Sequence, residues 1–325
     1  MLWLVSNSWG VDVAGYSLEQ LSRESYSGAA AHRFWLDDYN GIGHGLLQLA
    51  DGSLVVSSSD DTGSNGDESW FVFDTPNSLS GAQLTADFRR IRASDFTNWP
   101  VIQYGARNIS QLYAAQNSDV ILGRGGYGAR LTLDQLHGVA DHTNANVFEA
   151  AGVGWDTHST DVGQFWMASD GDSFAAIATA STASEGSVSL TKVADGNNIG
   201  SASPNGVGGI ARDSAGGFWL IDYATAAVRY FNAAAITALN GTPSNPSPTR
   251  TLTSPAFNGP ETLYQCCMDN EDGLWICTYE DFSRLLYFGA AKLAAGGSQD
   301  PDRVITTTVE FGVCPRLNFE LGPRR

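Results

Sequence analysis

DSAGGFWLIDYATAAVRYFNAAAITALNG (213–241) and DNEDGLWICTYEDFSRLLYFGAAKLAAGG (269–297) nearly spell one another. Each reads as a turn with Gly, an apolar strand opening on Trp, a polar loop, a second apolar strand ending in Tyr-Phe, and a small-residue turn with Leu and Gly. Self-similarity at such a period marks a repeat architecture. LADGSLVVSSSDD…SWFVFDTPNSLSG (49–81) is a third copy, QNSDVILGRGGYGARLTLDQLHG (116–138) a fourth and DGDSFAAIATASTASEGSVSLTKV (170–193) a weaker fifth. MLWLVSNSWGVDVAGYSLEQL, at the start of the numbering, is a sixth without its first strand.

The positions equivalent to Trp are read as Trp3, Leu54, Val120, Phe174, Trp219 and Trp275, at gaps of 51, 66, 54, 45 and 56 residues. From Trp275 through the last residue and round to Trp3 is 53, so the series closes on itself. Before each turn lies an inner strand: GLLQLA (45–50), ISQLYAA (109–115), GQFWMAS (163–169), GGIARD (208–213) and TLYQCCMD (262–269). PRLNFEL (315–321) supplies the one missing from the N-terminal copy. Outer strands recur as AAHRFWL (30–36), FRRIRAS (88–94), ANVFEAA (145–151), TRTLTSP (249–255) and DRVITTT (302–308); the fourth unit lacks a clear one.

Four short strands per unit, without long helical periodicity, predict an all-β fold: a six-bladed β-propeller of four-stranded blades. The C-terminal strand is expected to pair with the N-terminal strands, closing the ring and removing two exposed sheet edges. One domain, 1–325, is expected, with blades at about 316–325 plus 1–36, 45–94, 109–151, 163–203, 208–255 and 262–308. A sandwich or a capped solenoid fits less well, because solenoid end repeats are atypical and polar.

The formal charge of −17 and pI near 4.5 oppose nucleic acid and anionic membrane as partners. No stretch approaches the roughly 20 apolar residues of a membrane span, and Asp12 interrupts the first apolar run, so no signal peptide is read. A cytoplasmic or virion-associated protein is expected. Cys266, Cys267, Cys277 and Cys314 have no metal-type spacing and read as buried free thiols. A hairpin setting Cys277 beside Cys266 or Cys267 would allow one disulfide.

Asp213-x-x-Gly216-x-Phe218-Trp219-x-x-Asp222 with Val228-x-Tyr230-Phe231, and Asp269-x-x-x-Gly273-Leu274-Trp275 with Leu286-Tyr287-Phe288, match one another with one insertion. These motifs resemble those of NHL-repeat propellers and the related gluconolactonase-type six-bladed propellers. Such motifs specify blade packing, and the fold hosts hydrolases, sugar and peptide binders and inert scaffolds.

In a propeller the loops before the inner strand and between the two middle strands gather at one mouth of the channel. Asn40-Gly, Asn205-Gly and Asn258-Gly each precede an inner strand at what reads as a common offset. With His44, Asp222 and Glu261 they form the candidate ligand-binding set. Asn-Gly is also ordinary turn chemistry, since both residues tolerate positive φ. The gluconolactonase-type resemblance implies a divalent cation at the channel: Pro204-Asn205-Gly206 resembles one of that family's metal-ligand motifs, and Glu261 would be a carboxylate partner. Oxygen ligands suit Ca²⁺. The family's Glu-Gly-Pro near the N-terminus and its Asn-Asp-Gly motif are absent.

Gly123-x-Gly125-x-x-Gly128 is followed by strand-like ARLTLDQ, so it is not a phosphate loop. No catalytic set is recognisable: neither Gly-x-Ser-x-Gly nor His-Glu-x-x-His occurs. The leading expectation is a non-enzymatic binding or structural module of a larger assembly, such as a bacteriophage virion or tail. Its partners would be other proteins of the assembly. The alternatives are a metal-dependent lactonase or esterase of the gluconolactonase type, and a lectin-like propeller binding a glycan or other small ligand at its face.

Overall fold

The computed structural model describes residues 1–5, 11–36, 41–49, 51–60, 69–79, 82–84, 88–97, 111–114, 120–124, 127–150, 165–168, 173–177, 186–188, 190–200, 207–260, 262–278, 284–307 and 316–319. The chain is mostly β, in a β-propeller arrangement. Its antiparallel strands form six sheets among the described residues. From inner to outer strand, the first is Arg316–Phe319, Leu2–Val5, Asp12–Tyr16 and His32–Leu36. The second is Gly41–Gln48, Leu54–Asp60, Ser69–Phe73 and Arg89–Arg92. The third is Gln111–Ala114, Val120–Arg124, Tyr127–Leu131 and Asn146–Ala150. The fourth has three strands, Phe165–Ala168, Ser173–Ile177 and Leu190–Asp195, in keeping with the unit at 163–203, where the sequence shows no clear outer strand. The fifth is Val207–Arg212, Phe218–Asp222, Ala227–Phe231 and Arg250–Thr253; the sixth is Leu263–Met268, Leu274–Thr278, Arg284–Phe288 and Arg303–Thr307.

The expected pairing of the C-terminal strand with the N-terminal strands is present. Leu2–Val5 pairs antiparallel with Arg316–Phe319, Leu2 opposite Phe319 and Val5 opposite Arg316. Inner strands of successive sheets neighbour one another: Gly41–Gln48 lies beside both Gln111–Ala114 and Arg316–Phe319, and Leu263–Met268 beside both Arg316–Phe319 and Val207–Arg212. Val207–Arg212 in turn neighbours Phe165–Ala168.

A second kind of pairing joins the sheets at their rims. On its way through one sheet, the chain sends a short strand back to the outer edge of the preceding sheet. Ala82–Leu84 adds in parallel to His32–Leu36, Gly186–Val188 to Asn146–Ala150, and Gly297–Ser298 to Arg250–Thr253. Ser25–Gly28 does the same to Arg303–Thr307, joining the sixth sheet to the first. A single parallel bridge, Ala194 with Ser244, covers the fourth sheet. Outer edges otherwise left as unpaired donors and acceptors are thus covered from within the chain.

Why the repeat has its residues is clearest in the fifth and sixth sheets. Asp213 accepts from the Gly217 N–H and Asp269 from the Gly273 N–H, both at 2.7 Å, fixing the turn between inner and second strands. The same carboxylates bond the hydroxyls of Tyr230 and Tyr287. A side chain at Gly217 or Gly273 would collide with those hydroxyls. Trp219 packs on Tyr230 with ring centroids 4.6 Å apart, and Trp275 on Tyr287 at 4.8 Å. Arg250 and Arg303 then lie over the tyrosine rings at 4.1 and 4.5 Å. Each ladder crosses three strands in register.

This geometry corrects two details of the repeat alignment. Asp213–Trp219 and Asp269–Trp275 have equal length, so no insertion separates them; the matching glycines are Gly217 and Gly273. Gly216 (φ +83°) instead matches Asp272 (φ +57°), the left-handed position of the turn. Secondly, the strand register aligns Trp3, Trp219 and Trp275 with Val55 and Ile121, not with Leu54 and Val120. In a strand a one-residue shift reverses the face. Val55 packs towards the third sheet, as Trp219 packs towards the sixth, whereas Leu54 faces back to the first.

Trp3, Trp219 and Trp275 are at most 2 % exposed, and each fills the layer between its own sheet and the next. Cys266, Cys267 and Cys277 are free thiols, as expected; Cys314 lies outside the described residues. The strand register sets Cys277 opposite Gln265, and Cys266 and Cys267 opposite Ile276 and Trp275. Burial pushes the Cys266 and Cys267 thiols upward in pKa.

Four short helices follow third strands: α1 (Leu18–Leu21), α2 (Leu133–His137), α3 (Ala233–Ala238) and α4 (Ala290–Ala295). Ser17 with Gln20, and Thr132 with Gln135, form capping boxes for α1 and α2.

Candidate functional site: the channel end

Of the candidate residues, His44 lies in the inner strand Gly41–Gln48, Asp222 ends the second strand Phe218–Asp222, and Asn258 lies in the turn before Leu263–Met268. Asn40, Asn205 and Glu261 fall outside the described residues. Among the described residues, no group of three or more His, Cys, Asp or Glu side chains is placed to hold a metal.

Three inner strands share one feature there. In the second sheet Gly43 pairs with Ser58 and Gly45 with Ser57, so His44 is an extra residue in a β-bulge. In the sixth sheet Leu263 pairs with Thr278 and Gln265 with Cys277, so Tyr264 is the extra residue. The fifth sheet shifts register between Val207 and Ile210, at Gly208 and Gly209. The opposed residues Ser58, Asp222 and Thr278 occupy equivalent second-strand positions, so the bulges are equivalent too. Gln265 donates from Nε2 to the Gly208 carbonyl at 2.7 Å, linking two of them around the channel. Bulges of this kind re-aim strand residues and concentrate near functional sites.

Against this frame the asparagines do not keep a common offset. Asn40 is three residues before Gly43, Asn205 two before Val207 and Asn258 five before Leu263, the three equivalent positions. Asn258 is exposed, has φ +55° and ends a 3₁₀ turn over Pro255–Phe257. That is the left-handed conformation for which turn asparagines are selected. Thr262 closes the same turn, donating its hydroxyl to the Gly259 carbonyl at 2.7 Å.

Asp222, at the end of the second strand of the fifth sheet, is fully buried. One carboxylate oxygen is paired with Arg229 Nη2, and the other accepts from the Thr225 N–H at 3.3 Å. Arg229 also donates to the Asn197 carbonyl at 2.6 Å. Burial of a carboxylate demands such a partner, so Asp222 is a framework residue.

The cations follow a pattern that was not read from the sequence. Arg89 donates to the Gln135 and Leu136 carbonyls at 2.8 and 3.0 Å, at the end of α2. Lys192 donates to Ile236, Thr237 and Leu239, each at 3.0 Å, at the end of α3. Arg250 reaches Leu293 on α4, and Arg303 reaches Leu21 on α1, both at 3.3 Å. Each cation sits on the last antiparallel strand of its sheet and holds the helix of the next sheet, where unpaired carbonyls concentrate. The legible signal was an Arg near the head of FRRIRAS, TRTLTSP and DRVITTT.

No protein-family model matches the chain. No curated protein matches it either. Among solved structures, a protein of unknown function from Bacteroides caccae is similar over 98 % of this chain and 99 % of its own, with TM-score 0.57 and 11 % identity. A catalytically inactive virginiamycin B lyase from Staphylococcus aureus, with quinupristin, gives TM-score 0.46 at 9 % identity, over 78 % of this chain and 71 % of that one. Glutaminyl cyclase from Myxococcus xanthus gives 0.41 at 10 %, over 74 % and 87 %. At these identities the first likeness is one of fold, and the two lower scores carry no functional argument. No helix among the described residues is long and apolar enough to cross a membrane.

Proposed function

We propose that the chain is a six-bladed ring of the NHL type that serves as a non-enzymatic binding platform for other proteins of an assembly. A virion or tail is one such setting. The carrying observation is the fastening of successive sheets by returned rim strands, by cations on helix ends, or by both. Such fastening makes a stiff frame beneath variable loops, which suits recognition by loops on a rigid scaffold. Asp222 supports the same reading, since its carboxylate is engaged by the frame itself.

The contact face in this proposal is the bulged end of the channel, where the chain enters the inner strands Gly41–Gln48, Val207–Arg212 and Leu263–Met268. Cross-linking in the native assembly tests it. Lysine chemistry suits this chain poorly, because its two lysines both serve the frame: Lys192 holds α3, and Lys292 holds Asp302 at 2.8 Å. Carboxylate-reactive reagents have 35 acidic residues to use. Cross-links concentrated at that end are the expected result. Hydrolysis of a simple lactone, abolished by EDTA and by Glu261→Gln, would replace the proposal with the gluconolactonase-type reading. A melting temperature raised by Ca²⁺ and lost in Asn205→Ala would establish a channel cation.

A further inference from the structure

The joint between the second and third sheets differs from the others. The outer strand Arg89–Arg92 gains no further strand among the described residues. One backbone bond, from the Thr97 N–H to the Thr143 carbonyl at 2.9 Å, and a set of side chains make the joint, and two histidines flank it.

His137, the last residue of α2, sits between two carboxylates of the second sheet. Its Nε2 is 3.0 Å from Asp51 Oδ2 and its Nδ1 is 2.9 Å from Asp74 Oδ1. A carboxylate only accepts, so both contacts are hydrogen bonds only when both ring nitrogens carry protons. His142 is five residues on. Its Nδ1 lies 2.9 Å from Arg89 Nη2, and its Nε2 lies 3.5 Å from Asp95 Oδ2. A guanidinium only donates, so the Arg89 bond requires a bare Nδ1. The same Arg89 holds the end of α2.

We propose that this joint is compensated against pH: the His137 contacts fasten it when the histidines are charged, and the Arg89–His142 bond fastens it when they are neutral. The two fastenings need opposite protonation states of an imidazole, so one strengthens as the other weakens. The charged groups facing His137 are Asp51 and Asp74. Those facing His142 are Arg89, Asp95 and the neighbouring Asp141, with the Phe96 ring edge-on at 5.7 Å. Asp51 is available as a charged partner throughout: against the effect of burial, the Ser53 hydroxyl and N–H and then His137 hold its carboxyl below the ordinary range.

Amide hydrogen exchange at Leu136 and Val139, whose N–H groups bond Thr132 and Asp134, reads the joint directly. Rates are divided by their intrinsic values at each pH. His137→Gln should lose protection about tenfold near pH 5 and little near pH 8, the size expected for a hydrogen bond to a charged group. His142→Leu should show the reverse, and His142→Gln, whose amide oxygen accepts from Arg89 without titrating, should restore protection near pH 8. Equal losses at both pH values, or losses in the opposite order, would overturn the proposal. Failure of His142→Gln to restore protection would also overturn it.

Discussion

Arg303 donates to the carbonyl oxygen of Leu21 at 3.3 Å, although 282 residues separate them. The same guanidinium lies over Tyr287, and the strand it begins pairs with Ser25–Gly28. Arg89, Arg250 and Arg303 share one register position, opposite Val72, Tyr230 and Tyr287. His32 and Asn146 hold that position in the first and third sheets, where no α-helix is described in the next sheet's connection. The cation is present where there is a helix end to hold.

Replacing Arg303 with Gln should therefore destabilise the fold by about 1–3 kcal/mol, the worth of a charge-assisted bond plus ring stacking. Arg250→Gln should cost a similar amount. Urea denaturation reads both, and a negligible loss in both would show that the helix contacts are ornamental.

Trp219→Ala and Trp275→Ala should each cost about 3–5 kcal/mol, because each opens a cavity between two sheets where neighbours relax only partly. Gly217→Ala and Gly273→Ala should cost less but still destabilise, since the new methyl displaces the tyrosine hydroxyl from its aspartate. Thermal denaturation of the four variants checks the order.

Asp222→Asn should cost about 3 kcal/mol or more, since it leaves Arg229 paired with a neutral group in a buried place. Replacing both residues by apolar ones of similar size should cost less than Asp222→Asn alone. If Asp222→Asn leaves stability unchanged but removes ligand binding, the framework reading of Asp222 is wrong.

Alkaline titration tests the ladders. Burial, then the hydrogen bond and charge of Asp213, push the Tyr230 phenol up to about 12; burial, then the charge and hydrogen bond of Asp269, do the same for Tyr287. The folded protein keeps these protons where the unfolded chain releases them. Their contribution is thus complete below about pH 10 and is lost as pH rises through about 12. Stability should fall over that window, and less steeply in Tyr230→Phe and Tyr287→Phe. Tyrosinate absorbance in the folded protein should lag behind the denatured chain.

The strands, the pairing of Leu2–Val5 with Arg316–Phe319 and the buried tryptophans were legible because short apolar runs between Gly-bearing turns, repeated along the chain, write directly into sequence. The rim strands were not, since segments of two to four residues such as Gly297–Ser298 carry no periodicity. Helices of four to six residues were missed for the same reason, although Ser17-x-x-Gln20 and Thr132-x-x-Gln135 mark two of them. At the candidate site, Asn258 caps a turn with positive φ, which a dipeptide count cannot tell apart from a ligand position. Nor could spacing show that Asp222 meets Arg229, because that pairing depends on how a tight hairpin turns its side chains.

The claim on which the rest depends is that the first sheet is assembled from both ends of the numbering. Hydrogen exchange of the Leu2–Val5 amides tests it most directly. Paired on both sides, they should exchange only through global unfolding, as slowly as those of Phe218–Asp222 in the middle of the fifth sheet. Rapid exchange of alternate amides along Leu2–Val5, as for a strand with one open edge, would contradict the closed ring.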